Sequence, residues 1–401
     1  MPQEPDIDWP ARARELAPRF NRRAARHDRE GSFPFENFTD LVAGGFARLT
    51  VPRSHGGYEA SLSTFLRVQE ELAAGDGSTA LAFNMHLIRF GSEREAHTYP
   101  EAWFDQLCRE AVDHGWLCNT AATEEGLGSP AGGGAPETIA LESEGGWLIN
   151  GRKTFTTMAP LLHSFIVMAS IPQEGAERPA IGNFMLYRDD PGFRVEETWD
   201  SLGMRSTGSH DIVLENVQLG PERLMTRRNP GSADPRGISG FVWFALGLSA
   251  TTIGVARAAR DYAVGYARER TPNSNRTIKE YPGVRTRIAR IDILLQRSRA
   301  LVFDAAAAWE SRAEPPPALG GMSPADRVAV AKVETLNACI EAVDLAMRVV
   351  GGVSLQKKRP IERYYRDVRA ALHNPPLEDR ALEQLARSAL DEPPEPPRPV
   401  E

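Results

Sequence analysis

The chain has 401 residues, of which 41% are hydrophobic and 25% charged, and its net charge is −7. This length is too great for one ordinary core and predicts two or three domains, and the composition is that of a globular protein in water. The negative charge argues against a nucleic-acid partner, which normally requires a basic face.

The N-terminal segment is polar and charged from its start, which predicts no signal peptide. Residues 1–115 have the pattern of a helical domain, in which Phe65, Val68 and Leu72 recur at helical spacing. From residue 116 the period changes. Short apolar runs separated by Gly- or Pro-bearing turns predict a β barrel or sandwich over residues 116–228.

Long helical patterns return over residues 236–391 and predict a four-helix bundle. Ser323 is a favourable N-cap for one of its helices, and Gly351 marks that helix's end. Residues 237–256 carry no charge over about the length of a membrane span, but a helix buried on all sides of the bundle is the interpretation we prefer. The Pro- and Glu-rich residues 392–401 predict a disordered tail. The fold class is therefore α+β with several domains.

Two polar loops in the β domain each follow an apolar, strand-like run. The first extends from Thr123 to Ser129, and the second contains Phe155, Thr156 and Thr157. Hydroxyls, free backbone N–H groups and one aromatic face are what holding a flat, hydrogen-bonding ring requires. The first loop also fits the dinucleotide fingerprint G-x-G-x-x-A, but a strand pattern rather than a helix follows it, which argues against a Rossmann fold.

These loops resemble the flavin-binding β domain of the acyl-CoA dehydrogenase superfamily, where a TEP-x-x-GS loop precedes an NG-x-K-x-W-I-T loop. Further segments resemble the family in its own order, and the likeness extends over roughly residues 45–390. These segments are residues 52–57, 70–78, 203–217, 351–352 and 362–367. The resemblance implies an N-terminal helical domain, a middle β domain and a C-terminal four-helix bundle.

The resemblance also implies FAD as cofactor. Thr123 would bond the pyrimidine edge of the flavin, and Ser129 would lie near the cofactor or the substrate thioester. Phe155 takes the position of the tryptophan that packs on the isoalloxazine, Thr157 that of the hydroxyl facing N5, and Thr156 lies between them.

In this family a neighbouring subunit completes the cofactor site, which implies a homotetramer or homodimer. The segments that do so correspond here to Arg270 and to Gly351-Gly352, whereas Arg348 stands where the family has a glutamine. In the family a Phe-Gly pair usually follows the arginine that corresponds to Arg270, and this chain has other residues in place of that pair. FMN is therefore an alternative to FAD.

The catalytic glutamate of the family is missing from this chain. Pro375 aligns with its usual position and Phe244 with the alternative one, and neither side chain can accept a proton. Three groups are candidates for an acid or base: His373 and Glu378 near the lost glutamate, and His86 on an apolar helix. The alternative for His373 is a surface-loop histidine without a catalytic role, and the alternative for His86 is a histidine buried in the core.

The leading hypothesis is a flavin-dependent oxidoreductase that catalyses α,β-dehydrogenation of an acyl thioester or a similarly activated small molecule. Flavin-dependent monooxygenation on the same fold is the alternative, because such enzymes also lack the glutamate. A non-catalytic structural homologue is the alternative from another class. The sequence offers no clustered metal ligands, and three cysteines without C-x-x-C spacing indicate reduced thiols in a cytoplasmic protein.

Overall fold

Helices form the first part of the chain. A computed structural model describes residues 7–126, 134–229, 237–272, 276–312 and 322–391. Its N-terminal helices are Trp9–Glu30 (α1), Phe35–Ala43 (α2), Leu62–Gly75 (α3), Gly77–Ala96 (α4) and Glu101–Arg109 (α5). The extended residue Asp76 separates α3 from α4, and its side chain caps α4 by accepting a hydrogen bond from the Thr79 amide at 3.2 Å. A π-helical turn, Glu110–His114, leads into the first strand.

A β-sheet occupies the middle of the chain. Its strands are Cys118–Ala121 (β1), Ile139–Ser143 (β2), Gly146–Thr156 (β3), Ser164–Ile171 (β4), Ala180–Tyr187 (β5), Phe193–Glu196 (β6), His210–Leu219 (β7) and Leu224–Arg228 (β8). The strands hydrogen-bond in the order β6-β7-β3-β2-β4-β5-β8, and β1 pairs with β4 in parallel. The sequence did not predict β6 or β8, because neither is an apolar run: β6 contains an arginine and a glutamate, and β8 ends in two arginines.

Helices return after the sheet, and this order confirms the predicted α+β class. They are Gly237–Glu269 (α6), Pro282–Glu310 (α7), Pro324–Val350 (α8), Pro360–Asp367 (α9) and Glu378–Leu390 (α10). α6, α7 and α8 pack on one another, and α10 packs on α8. The side chain of Ser323 caps α8 by accepting from the Asp326 amide at 3.1 Å, and Gly351, with φ 77°, ends the helix. The predicted tail, residues 392–401, lies outside the described residues.

Helix α6 has the length and apolar character of a membrane span. However, 78% of its most apolar 18-residue window is buried inside the protein. It packs against α3 and α4 of the N-terminal part as well as against α7 and α8. The core of the bundle therefore accounts for its apolar composition, as the sequence indicates.

One apolar core connects the three parts of the chain. Residues of the N-terminal helices, the sheet and the C-terminal helices belong to the same buried cluster. Polar contacts strengthen the junction: the Glu95 carboxylate accepts from the indole N–H of Trp243 at 3.1 Å and from that of Trp309 at 2.8 Å. α4 is thereby tied to α6 and α7.

Candidate active site

The two polar loops lie side by side because backbone and charge join them. The Thr154 amide donates to the Thr123 carbonyl at 2.9 Å. Next to this bond, the Lys153 ammonium and the Glu124 carboxylate form an ion pair, and both side chains are almost fully buried. Glu124 also accepts from the Thr138 amide at 2.9 Å and from its hydroxyl at 2.6 Å. The first loop is therefore fixed against the end of β3.

The charge state of Glu124 follows from these contacts. Burial by itself would raise the pKa of this carboxyl. The hydrogen bonds and charge of Lys153, together with the hydrogen bonds from Thr138, outweigh burial and hold the pKa of Glu124 below its ordinary value. The loop is therefore anchored by a carboxylate rather than by a neutral acid.

Phe155 presents a bare aromatic ring at the end of β3. Its side chain is 62% exposed, and its backbone has φ 53°, a strained value for a residue with a bulky side chain. The register between β3 and β7 shifts between Lys153 and Thr156, where this strain is located. The Trp199 ring meets Phe155 edge to face, with ring centroids 5.4 Å apart. Strained, exposed residues of this kind concentrate at functional sites, and this one offers a platform for a flat ring.

Thr157 begins a chain of three hydroxyls beside that platform. Its Oγ1 lies 2.9 Å from the Ser209 Oγ, which lies 2.7 Å from the Thr207 Oγ1. The Thr207 hydroxyl donates to the Met204 carbonyl at 3.0 Å. The backbone of Thr157 is held separately, since the Asn119 amide side chain donates to its carbonyl at 3.0 Å. The sequence analysis named residues 203–217 only as a segment that resembles the family, so it missed Ser209 and Thr207 as site residues.

The C-terminal helices bind the loop that carries Thr207 and Ser209 of this hydroxyl chain. The Met204 amide donates to the Asp367 Oδ1 at 2.6 Å, and the Arg366 guanidinium donates to the Leu202 carbonyl at 2.9 Å. Asp367 is buried, and burial raises its pKa to about 7 although the nearby charge of Arg363 opposes this shift. The family-like segment 362–367 ends in Arg366-Asp367, the Arg-Asp signature, which thus contacts the β domain directly.

The other predicted residues of the two loops have different environments. Thr156 is fully buried, because successive strand residues face opposite sides and Phe155 faces outward. Its Oγ1 has no hydrogen-bond partner among the described residues. Thr123 is half-buried and contributes its carbonyl to the contact with Thr154. Ser129 lies outside the described residues.

His373 and Glu378 both belong to the C-terminal helical part of the chain. His373 ends a short 3₁₀ segment, is exposed, and forms no hydrogen bond or ion pair with the described residues. Glu378 begins α10 and accepts from the Asn337 side-chain amide at 3.2 Å. No hydrogen bond or ion pair in the described part of the chain joins either residue to Thr157.

A buried lysine that the sequence analysis missed fixes the segment at the lost glutamate. The Lys332 ammonium donates to the Asn374 carbonyl at 2.6 Å and also to the Pro376 carbonyl. Burial lowers the pKa of Lys332 to about 8, while the charge of Glu378 opposes this shift. Pro375 lies between the two bonded residues, so this segment has a defined backbone but no side chain that accepts a proton.

His86 is a core residue in this structure. It is fully buried, its Nε2 is 2.7 Å from the Ala47 carbonyl, and its Nδ1 accepts from the Cys118 amide at 3.2 Å. Burial lowers the pKa of His86 to about 4, so the ring is neutral at physiological pH. Because both ring nitrogens are bonded inside the protein, this geometry matches the core-histidine alternative and argues against a catalytic role.

The remaining predicted cofactor residues lie on the helical bundle. Arg348, Gly351 and Gly352 line an open groove of about 470 Å³ beside Tyr365, and Arg270 is exposed at the end of α6. Among the described residues, none of these four bonds to the loops that carry Thr123 and Phe155. The predicted cofactor residues therefore form two separate sets within one chain.

Comparison with known proteins identifies the fold. Family models described as acyl-CoA dehydrogenase N-terminal, middle and C-terminal domains match residues 11–101, 119–217 and 237–372. A Bacillus subtilis (strain 168) protein named "Putative acyl-CoA dehydrogenase YdbM" is 40% identical over 385 residues, which cover 96% of this chain and 97% of that protein. The chain belongs to the acyl-CoA dehydrogenase family.

Other relatives within the family have different activities in their names. L-evernosamine nitrososynthase of a Micromonospora species is 29% identical over 365 residues, which cover 88% of this chain and 83% of that enzyme. The solved structure of KijD3 in complex with FMN and an aminoketosugar nucleotide has a TM-score of 0.82 and 26% identity, and the match covers 98% of this chain and 97% of that one. Membership of this family therefore fixes the fold without fixing the reaction.

Proposed function

We propose that this protein is a flavin-dependent oxidoreductase whose flavin ring lies on Phe155 with its N5 atom beside Thr157. The residues fit such a ring, because an exposed aromatic face and a hydroxyl with unused hydrogen-bonding capacity follow each other in sequence at the end of β3. When bound, a flavin accepts or donates hydride and, once reduced, reacts with oxygen. The protein's residues bind and orient the ring and handle protons.

Within this class we propose oxygenation of a small substrate by reduced flavin and oxygen. The observation that carries the proposal is the absence of a proton acceptor from both glutamate positions, where Pro375 and Phe244 stand. α,β-Dehydrogenation requires a base for the α-proton, whereas oxygenation has no such requirement. The names of the nitrososynthase relatives, which denote oxidation at nitrogen, also support this choice.

Dehydrogenation of an acyl thioester is the second candidate. The name of the 40% identical relative favours it. In that case His373 or Glu378 must take the α-proton, because His86 is bonded inside the core.

Two paired experiments on purified, flavin-loaded protein separate the candidates. In the first, the oxidised protein is mixed without oxygen with acyl-CoA compounds of increasing chain length, and bleaching of the visible flavin band is followed. In the second, the reduced protein is given isotopically labelled oxygen with amine and sulfide substrates, and products are analysed by mass spectrometry. Label in the product supports oxygenation, whereas bleaching by an acyl-CoA with formation of the enoyl product overturns it.

The hydroxyl of Thr157 provides a test of the flavin position. Thr157→Val exchanges the hydroxyl for a methyl group of similar size, so we expect the domain to remain folded while the visible spectrum and turnover of the bound flavin change. Absorbance spectra and steady-state rates measure this effect, and Thr154→Val is the matched control. An unchanged spectrum, flavin content and turnover would show that the ring does not lie against Thr157.

The choice between FAD and FMN depends on the predicted cofactor residues of the helical bundle, which are Arg270, Arg348, Gly351 and Gly352. We propose that the groove beside Arg348 covers the outer part of a cofactor bound by a neighbouring subunit, as the family resemblance implies. FAD is the expected cofactor, and FMN is the alternative because two family contacts are replaced. Mass spectrometry of the flavin released from purified protein distinguishes the two.

We expect the protein to form a homotetramer or a homodimer. The ring platform at Phe155 is exposed in one subunit, and closed symmetric assembly would cover it with the bundle of a neighbour. Sedimentation of the flavin-loaded protein measures the state, and a monomer with full flavin occupancy would contradict the prediction. We also propose a cytoplasmic location, in keeping with the three free, buried cysteines.

A further inference from the structure

The contact with the Met204 carbonyl sets the direction of the hydroxyl chain behind Thr157. A carbonyl oxygen can only accept, so the Thr207 hydroxyl gives its single proton to Met204 across 3.0 Å. Thr207 then has only lone pairs for Ser209, so Ser209 donates to it at 2.7 Å. By the same argument, Thr157 donates to Ser209 at 2.9 Å. Every proton in the chain therefore points away from the ring platform.

The Met204 carbonyl is also fixed in place beside the Thr207 hydroxyl. It accepts from the Trp199 indole at 3.0 Å and from the Thr207 amide at 3.2 Å, and the Met204 amide is bonded to Asp367 at 2.6 Å. Met204 is 5% exposed and has φ 52°, so its backbone is held in a defined, strained conformation. If Thr207 turned its proton toward Ser209, lone pairs of Thr207 and Met204 would face each other without a proton between them.

The consequence concerns the atom that faces Thr157. Because the Thr157 hydroxyl donates its proton to Ser209, it can only accept a hydrogen bond from a ligand. N5 of a flavin carries a hydrogen when the flavin is reduced and is only an acceptor when it is oxidised. We infer that this site binds reduced flavin more tightly than oxidised flavin, and that Ser209 and Thr207 are positioning residues that impose this preference through Thr157. The inference rests on the proposed flavin function.

The midpoint potential of the bound flavin tests the inference without measuring turnover. In Ser209→Ala the Thr157 proton is released and can be donated to oxidised N5, so we expect the preference for reduced flavin to fall about tenfold, which lowers the potential of this two-electron couple by about 30 mV. Thr154→Val is the matched control. Its hydroxyl is buried on β3, near the same site, and has no partner among the described residues, so its loss should leave the potential unchanged.

A second pair of variants separates the hydroxyl chain from general packing. Thr207→Ser keeps the hydroxyl and should keep the potential, whereas Thr207→Val removes it and should lower the potential as Ser209→Ala does. If Ser209→Ala and Thr207→Val bind flavin at the wild-type potential, the inference is overturned and the proposed function is unaffected. If the wild-type protein binds flavin in neither oxidation state, both are overturned.

Discussion

Replacing Lys153 by methionine is expected to lower the free energy of unfolding by about 3–5 kcal/mol, because it leaves a buried carboxylate without its partner. Lys153 is 0% exposed and Glu124 is 2% exposed, so water cannot substitute for the lost ammonium group. Glu124 follows Thr123 directly, and its carboxylate also binds Thr138. The same change should therefore loosen the first loop and weaken flavin binding.

Denaturant unfolding followed by circular dichroism measures this loss. Arg152→Met is the matched control on the neighbouring residue: its ion pairs with Glu196 and Asp211 lie at the surface, where such pairs contribute about 0.2–1 kcal/mol. Glu124→Leu combined with Lys153→Met removes both charges and should recover much of the stability, since replacing both ends of a buried pair is far less harmful than replacing one. A Lys153→Met protein as stable as Arg152→Met would contradict the prediction.

Because the pKa of Glu124 is lowered in the folded protein, the stabilisation that the Lys153–Glu124 ion pair provides depends on pH. Its folded-state pKa lies below the ordinary value, so the unfolded state binds the proton more readily. The pair therefore stabilises the fold above the ordinary pKa of a glutamate, and this stabilisation is lost as the pH falls through the lowered folded-state value. Acid should thus release the Thr123 loop.

The sequence predicts the general position of the site because local patterns determine it. The strand that carries Phe155 and the loop that carries Thr123 are both recognisable from apolar runs that end in polar residues, and their neighbourhood follows from the family resemblance. The strained φ of Phe155 was not predictable, because a phenylalanine does not indicate positive φ as a glycine does. That conformation depends on the register shift between two strands distant in sequence.

Contacts across long sequence separations explain most of what the sequence analysis missed. Thr157 and Ser209 are 52 residues apart, and Met204 and Asp367 are 163 apart. No periodicity or spacing within one strand or helix specifies such pairs. The same limit applies to Lys332, whose ammonium holds the Asn374 carbonyl 42 residues away.

The candidate base, His373, is a case in which a sequence motif did suggest a residue. In the described part of a single chain, however, this residue is not joined to the Phe155 platform. His373 follows the Arg-Asp signature closely, and Asp367 of that signature does reach the β domain. The six residues after Asp367 form a 3₁₀ segment that carries His373 to an exposed position. Its catalytic role therefore stays a prediction, and its side chain is free to meet a bound substrate.

If the substrate is an acyl thioester, whose α-proton requires a base, His373→Ala is expected to lower turnover by at least about tenfold while flavin remains bound, because a positioned general base contributes about 10²–10⁴-fold to rate. Pro375 and Phe244 cannot exchange protons, and His86 has both ring nitrogens bonded within the core, so few other groups can take this role. Turnover is measured with the acyl-CoA that bleaches the flavin in the first paired experiment, and flavin content is measured from the visible absorbance of the same samples. His114→Ala is the matched control, since it removes an exposed imidazole whose ring packs at a tilt against Trp116 outside the proposed site. Wild-type turnover in His373→Ala would transfer the acid–base role to Glu378, and Glu378→Gln should then show the loss.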